Sequence, residues 1–202
     1  VVTANKEVIA KAGYEILELA RENKVYFLFE ASVASGIPII GALSHSLTSY
    51  KLEEIIGILN GTTNYILTKM SEEGKDYEEA LREAQEKGYA EADPGKDIDG
   101  FDAFNKIFIL SAIAFRAKIN PEDIYYEGIR DIAKLDIEYA RELGYTVKLL
   151  ALARNSGMEL DIRVHPALIP KKHTLANIGG AYNGILIRGG DFGDLTFSGL
   201  GA

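Results

Sequence analysis

The 202-residue chain predicts an α/β fold, a mixed and largely antiparallel sheet with helices covering one face. Three observations carry that expectation. Apolar, β-branched runs such as KLEEIIGILNG have strand length and end in turn residues. Segments such as DYEEALREAQEKG place apolar residues at helical spacing behind a cap. Late in the chain, apolar runs fold back through NSG and through Gly189 to Asp194, as hairpins do.

Val1 to Thr3 read as the tail of a strand, and the chain lacks an N-terminal Met, so a longer parent sequence is expected. Asn5 is a plausible cap for a helix over 6–24, whose apolar residues Val8, Ile9, Ala12, Ile16, Leu17 and Ala20 recur near helical spacing. VYFLFEASV is uniformly apolar and predicts an interior strand ending at Glu30. Gly36 and Pro38 then open a helix over 34–50. KLEEIIGILNG is a strand closed by Asn60 and Gly61. A helix capped by Thr62 or Thr63 follows, then the helix from Asp76, where Glu79 completes a capping pattern and Gly88 is the stop. From about Asp99 another helix runs to Phe115, apolar on every side after Lys106. A strand at IYYEGI, a helix at DIEYARELG and the two hairpins complete one compact unit.

The bulk numbers exclude several classes of function. A net charge of −8 and no basic stretch with interleaved aromatics argue against a nucleic-acid partner. No apolar run reaches a membrane span and no signal segment opens the chain, so no membrane association is expected and the expected location is cytoplasmic. Without cysteine there is no disulfide framework or thiolate chemistry. His45, His165 and His173 do not share metal-ligand spacing, and Ser44 and Ser46 beside His45 have no predictable carboxylate partner for a triad. NIGGA and SGLGA are glycine turns that do not match a phosphate-binding fingerprint.

The chemistry concentrates in GYAEADPGKDIDGFDAFNK, where five of the twelve positions from Glu91 to Asp102 are carboxylates that run directly into a segment bound for burial. Asp102 and Lys106 lie four apart on one helix face, acid first. Because that helix lacks an evident solvent face beyond Lys106, the pair is placed at a cavity wall, and Lys106 becomes a candidate general acid or base. The carboxylates allow three readings: ligands for a hard cation, although the spacing lacks the pattern of a calcium loop; a solvated acidic loop; or Glu91, Asp97 and Asp102 gripping a cationic substrate group beside Lys106.

Taken together, VVTANK, EASVASGIPII, GILNGTTNYILTKM, GYAEADPGKDIDGFDAFNK and the closing GLGA resemble homoserine dehydrogenase along the whole chain. The resemblance implies oxidation of L-homoserine to L-aspartate 4-semialdehyde and the reverse reduction, with NADP or NAD as cofactor, in a homodimer built partly on the sheet's other face. It places the family's proton-donating lysine on Lys106 and a second catalytic and cofactor-facing lysine on Lys6. It assigns Glu91, Asp97 and Asp102 to substrate, Gly88 and Glu91 to the nicotinamide side, and Gly199 and Gly201 to a cofactor-contacting turn. Glu30, with the backbone oxygens of Val33, Ser35 and Ile37, matches a monovalent cation site, usually sodium. The family's glycine-rich nucleotide-binding half has no counterpart in this chain, which corresponds to the catalytic and dimerisation region over 1–202 and is expected to lack activity alone. A different class of function remains open at this point, a non-catalytic dimerisation or regulatory module whose acidic loop binds a cation. A Mg²⁺-dependent hydrolase using Asp93, Asp97 and Asp102 is a further alternative, and it needs those carboxylates to converge with no lysine between them.

Overall fold

The computed structural model describes residues 1–201; Ala202, the last residue of the closing GLGA, lies outside them. Helix α1 (Lys6–Glu22) starts where the Asn5 side chain accepts the Val8 amide and packs its buried Ile9 and Ala20 inward. A short helical segment follows, α2 (Ile39–Gly41), continued by a wide turn at Ala42–Ser46. Strand β1 (Leu52–Ile58) leads into α3 (Gly61–Glu73), α4 (Tyr77–Glu86), α5 (Gly95–Ile98) and α6 (Phe101–Phe115). Strand β2 (Tyr125–Tyr126) and α7 (Lys134–Glu142) precede β3 (Tyr145–Asn155), β4 (Leu160–Pro170), β5 (Tyr182–Gly189) and β6 (Gly193–Leu200).

The strands form one sheet in the order β2-β4-β3-β1-β5-β6, in which only the β2–β4 pair is parallel. Alternation along the strands sorts side chains between two apolar clusters. The larger takes Ile55, Ala151, Val164 and Ile187 together with Ile107 and Leu110 of α6, Ile66 and Met70 of α3, and Ile137 of α7. The smaller holds Ile56, Ile58, Leu150, Ile169 and Leu186 beneath Leu175 of a short turn at Thr174–Asn177. Helix α6 is apolar on every side because it runs through the larger cluster, with Ile107 and Leu110 fully buried.

Several expectations change. The interior strand over Val25–Val33 is absent: the backbone makes one parallel bridge, Val2 to Leu28, then turns at Glu30–Ser32. Phe29 is buried while Val25, Tyr26 and Leu28 are 56%, 84% and 54% exposed, so its uniform apolarity is not explained by this core. The cap of α3 is Asn60, two or three residues before the threonines, because its side-chain oxygen accepts the Thr63 amide. The helix expected from about Asp99 begins at Phe101, and a separate turn of helix, α5, precedes it across Gly100, whose φ of 87° no side chain adopts readily. The helix over 34–50 shrinks to 39–46 and the strand at IYYEGI to β2.

The break at Gly100 is buttressed from outside. A Cβ on Gly128 would stand 1.9 Å from the Ile98 carbonyl oxygen, so only glycine allows this approach. The Ile129 amide donates to that same oxygen at 2.8 Å, and the Glu127 amide ties the segment to Val164 of β4. The corner that carries the acidic motif is therefore clamped to the sheet.

Candidate active site

Asp102 sits in the first turn of α6, 3% exposed, and is the centre of the site. Its Oδ2 accepts Lys106 Nζ at 2.7 Å and Asn60 Nδ2 at 2.9 Å. Its Oδ1 stands 2.6 Å from Lys6 Nζ in an ion pair. Two ammonium groups from α1 and α6 thus flank one buried carboxylate. Burial works to raise the Asp102 carboxyl, but the Lys106 charge and the bonds from Asn60, Lys106 and Lys6 overcome it and hold the group below its ordinary range.

Lys106 also donates to the Leu59 carbonyl at 2.8 Å. An ammonium has three N–H groups, and these contacts use two of them. Asp97, at the third position of α5, has Oδ1 2.8 Å from Asn60 Nδ2 and Oδ2 3.3 Å from the Thr62 hydroxyl. Burial and the neighbouring Asp102 charge raise its carboxyl, against the lowering influence of Asn60, Lys106 and Lys6.

In front of these groups lies an open cavity of about 470 Å³, lined among others by Lys6, Glu91, Asp97, Phe101, Asp102 and Asn105. Glu91 stands exposed at its rim, and Lys96 of α5 bridges the rim to Glu7 of α1 at 2.6 Å. Lys106 does not line the cavity; it is the layer behind Asp102, its side chain 15% exposed. The structure therefore brings Lys6, Glu91, Asp97 and Asp102 to one cavity and Lys106 to its back wall. The lysines stand on the carboxylate itself, which removes the arrangement that a Mg²⁺-dependent hydrolase requires. Among the described residues no group of three or more His, Cys, Asp or Glu is placed to hold a metal ion.

The remaining expected positions are spread around this centre. Gly88 follows α4 with a φ of 76°, and the carbonyl of its neighbour Tyr89 accepts the Thr62 hydroxyl at 2.5 Å. Gly199 and Gly201 line a separate hollow of about 700 Å³ with Gly36, Ile37 and Pro38. A Cβ on Gly201 would stand 2.7 Å from the Ala181 oxygen and 3.3 Å from the Gly61 Cα, so the glycine lets the end of β6 pass directly against the start of α3. Glu30 lies apart: its carboxylate oxygens accept the Ile40 and Gly41 amides, each at 2.8 Å, as an anionic cap on α2. Val33, Ser35 and Ile37 follow it through Ala34 and Ser35, both left-handed at φ 57° and 54°. Sequence reasoning missed Asn60 and Thr62. The Asn60–Thr63 cap spacing was available as a signal, but Asn60 read as the end of a strand.

A family model described as homoserine dehydrogenase matches residues 38–202. A homoserine dehydrogenase of Synechocystis sp. is 50% identical over 206 aligned positions, covering all of this chain and 48% of that protein. The crystal structure of a homoserine dehydrogenase from Thiobacillus denitrificans superposes with a TM-score of 0.96 at 48% identity, again covering all of this chain and 47% of the other. A hyperthermophilic archaeal homoserine dehydrogenase solved in complex with NADPH matches at TM-score 0.85 and 34% identity, over 58% of its length. The chain spans about half the length of the curated relatives it matches, and it belongs to the homoserine dehydrogenase family.

Proposed function

We propose that this chain is the catalytic and dimerisation region of an NAD(P)-dependent oxidoreductase that interconverts L-homoserine and L-aspartate 4-semialdehyde. The observation that supports it most is the buried Asp102 carboxylate on the cavity wall, flanked by the Lys6 and Lys106 ammonium groups. The substrate's ammonium would be drawn to the negative charge that Asp97 and Glu91 add on the same cavity.

When bound, the nicotinamide ring takes a hydride from the alcohol carbon or returns one to the aldehyde. The chain's residues handle the proton. Lys106, held by Asp102 and Leu59 at the back wall, has a third N–H for a substrate oxygen that reaches past Asp102, to donate in reduction and to recover in oxidation. Lys6 approaches the same carboxylate from α1 and adds positive charge where the oxygen becomes anionic. For the dinucleotide, the fit is at the glycines. A Cβ at Gly199 would press on Ile37 at 3.0 Å and one at Gly201 would strike the Ala181 carbonyl, so glycine is needed at both positions for the backbone to run where it lines the hollow. Gly199, Gly201, Gly88, Glu91 and Lys6 are the residues assigned to it.

A sodium ion at Glu30 is a secondary part of the reading. Among the described residues the carbonyls of Val33 and Ser35 accept no backbone hydrogen bond, which leaves them available as ligands. The cation would share the Glu30 carboxylate with the two amides of α2.

The non-catalytic alternative needs Lys6 and Lys106 to diverge, and their convergence on Asp102 favours the enzyme. The test is direct. Purified protein comprising this chain joined to a nucleotide-binding half, given aspartate semialdehyde and NADPH or NADH, should form homoserine as the reduced cofactor is consumed. No consumption with either cofactor would overturn the proposal.

A further inference from the structure

We infer that Asn60 is a positioning residue that clamps the two substrate-facing carboxylates, Asp97 and Asp102, and sets their ionisation for binding. The inference rests on the dehydrogenase reading and adds to it a residue outside the acidic motif. Asn60 is 5% exposed and its orientation is determined by its surroundings. Its Oδ1 accepts the Thr63 amide at 2.8 Å and the Thr63 hydroxyl at 3.0 Å, so the NH₂ end has to point the other way. The two N–H groups of Nδ2 then go one to each carboxylate, at 2.8 Å to Asp97 Oδ1 and 2.9 Å to Asp102 Oδ2.

This arrangement does three things at once. It holds two like charges close together without their own repulsion driving one of them out of line. It occupies the Asp102 oxygen that also receives Lys106, which leaves the other oxygen, Oδ1, to the Lys6 ammonium at the cavity. It also gives Asp97 a donor that favours its charged form, against burial and the Asp102 charge, with Thr62 on its second oxygen. The charged groups that act on Asp97 are Asp102 and Lys106 from α6 and Lys6 from α1.

The clamp is separable from the helix cap, which makes it testable. In Asn60→Ser the hydroxyl can still accept the Thr63 amide and cap α3, but it cannot reach both carboxylates. Asn60→Asp keeps the cap and replaces the two donors with a third negative charge. The readouts are the Asp97 carboxyl titration by carbon-13 NMR on this chain, and the pH profile of kcat/KM for homoserine in the enzyme that contains it. The expected result for Asn60→Ser is a folded protein in which the Asp97 midpoint moves up and the acid limb of kcat/KM moves up with it. At neutral pH, KM for homoserine should rise roughly tenfold or more, the worth of hydrogen bonds to charged acceptors, while kcat falls less. Asn60→Asp should weaken homoserine binding further. If the Asp97 titration and the acid limb stay where they are in folded Asn60→Ser protein, the clamp is refuted. A wild-type enzyme that oxidises no homoserine would instead overturn the dehydrogenase reading, and an upward move of the Asp97 midpoint in Asn60→Ser would still support the clamp.

Discussion

A lysine that transfers a proton has to be fixed without being used up, and Lys106 meets that condition. Asp102 and the Leu59 carbonyl hold two of its hydrogens and leave one free. Replacing it with alanine should lower kcat at least about a hundredfold, the usual worth of a positioned acid or base, with little change in the KM for the cofactor. Steady-state kinetics on Lys106→Ala checks this, and unchanged turnover removes the residue from the mechanism. Asp102→Asn should be harmful in a different way. It leaves two ammonium groups facing each other without their counter-charge, so stability should fall by about 3 kcal/mol along with activity, measurable as a lower urea midpoint. A second buried lysine offers a test independent of catalysis. Lys148 on β3 is 4% exposed and bonds Asn64 Oδ1 at 2.9 Å and the Ile178 carbonyl at 2.7 Å. Burial pushes its ammonium down from 10.5 to about 8, with Glu72 opposing. Between those values the unfolded chain binds the proton that the folded chain has released, so this group's contribution to stability grows as pH rises. Urea midpoints of the wild type measured from pH 8 to 10 should therefore gain relative to those of Lys148→Met.

Among the elements, the ones with local instructions were legible and the ones defined by distant partners were not. Helix α4 carries its own start signal. The Asp76 side chain accepts the Glu79 amide at 2.9 Å and the Glu79 side chain returns to the Asp76 amide at 3.3 Å. Asp76→Ala should cost about 1 kcal/mol, seen as a lower thermal midpoint with activity retained. The two hairpins announced themselves through turn residues in the same way. The 25–33 segment shows the opposite case, because its apolar side chains report burial without saying by what, and among the described residues its strand-like pairing is with residues 1–3. The corner between α5 and α6 could not be read at all. Its shape depends on Gly128, distant in sequence, pressing on Ile98. Gly128→Ala should force that corner outward, at a cost of about 1–3 kcal/mol as for an overpacked core, and should displace Asp97 and Asp102 together. A loss of both thermal stability and homoserine binding is the expected outcome.

For the whole molecule, the sheet divides the chain into a side thick with helices and a side with a smaller apolar cluster. Tyr182 and Leu200, paired on the β5–β6 ladder, are 51% and 59% exposed. With the homodimer proposed for this family region, sedimentation should give a mass near twice 22.1 kDa, and charged substitutions at those two positions should shift it toward one copy. Residues 88–106, together with VVTANK, EASVASGIPII, GILNGTTNYILTKM and GLGA, pointed to the family, and the pairing of Asp102 with Lys106 was legible because helical spacing places residues four apart on one face. What no local pattern contains is the approach of separate elements. Lys6 reaching Asp102 from α1, Asn60 reaching two carboxylates from the end of β1, and Lys106 standing behind the cavity instead of in it are long-range facts. They exist only once the sheet and the buried α6 have brought those backbones together, because a hydrogen bond is fixed to within a few tenths of an ångström and sequence distance sets no such limit.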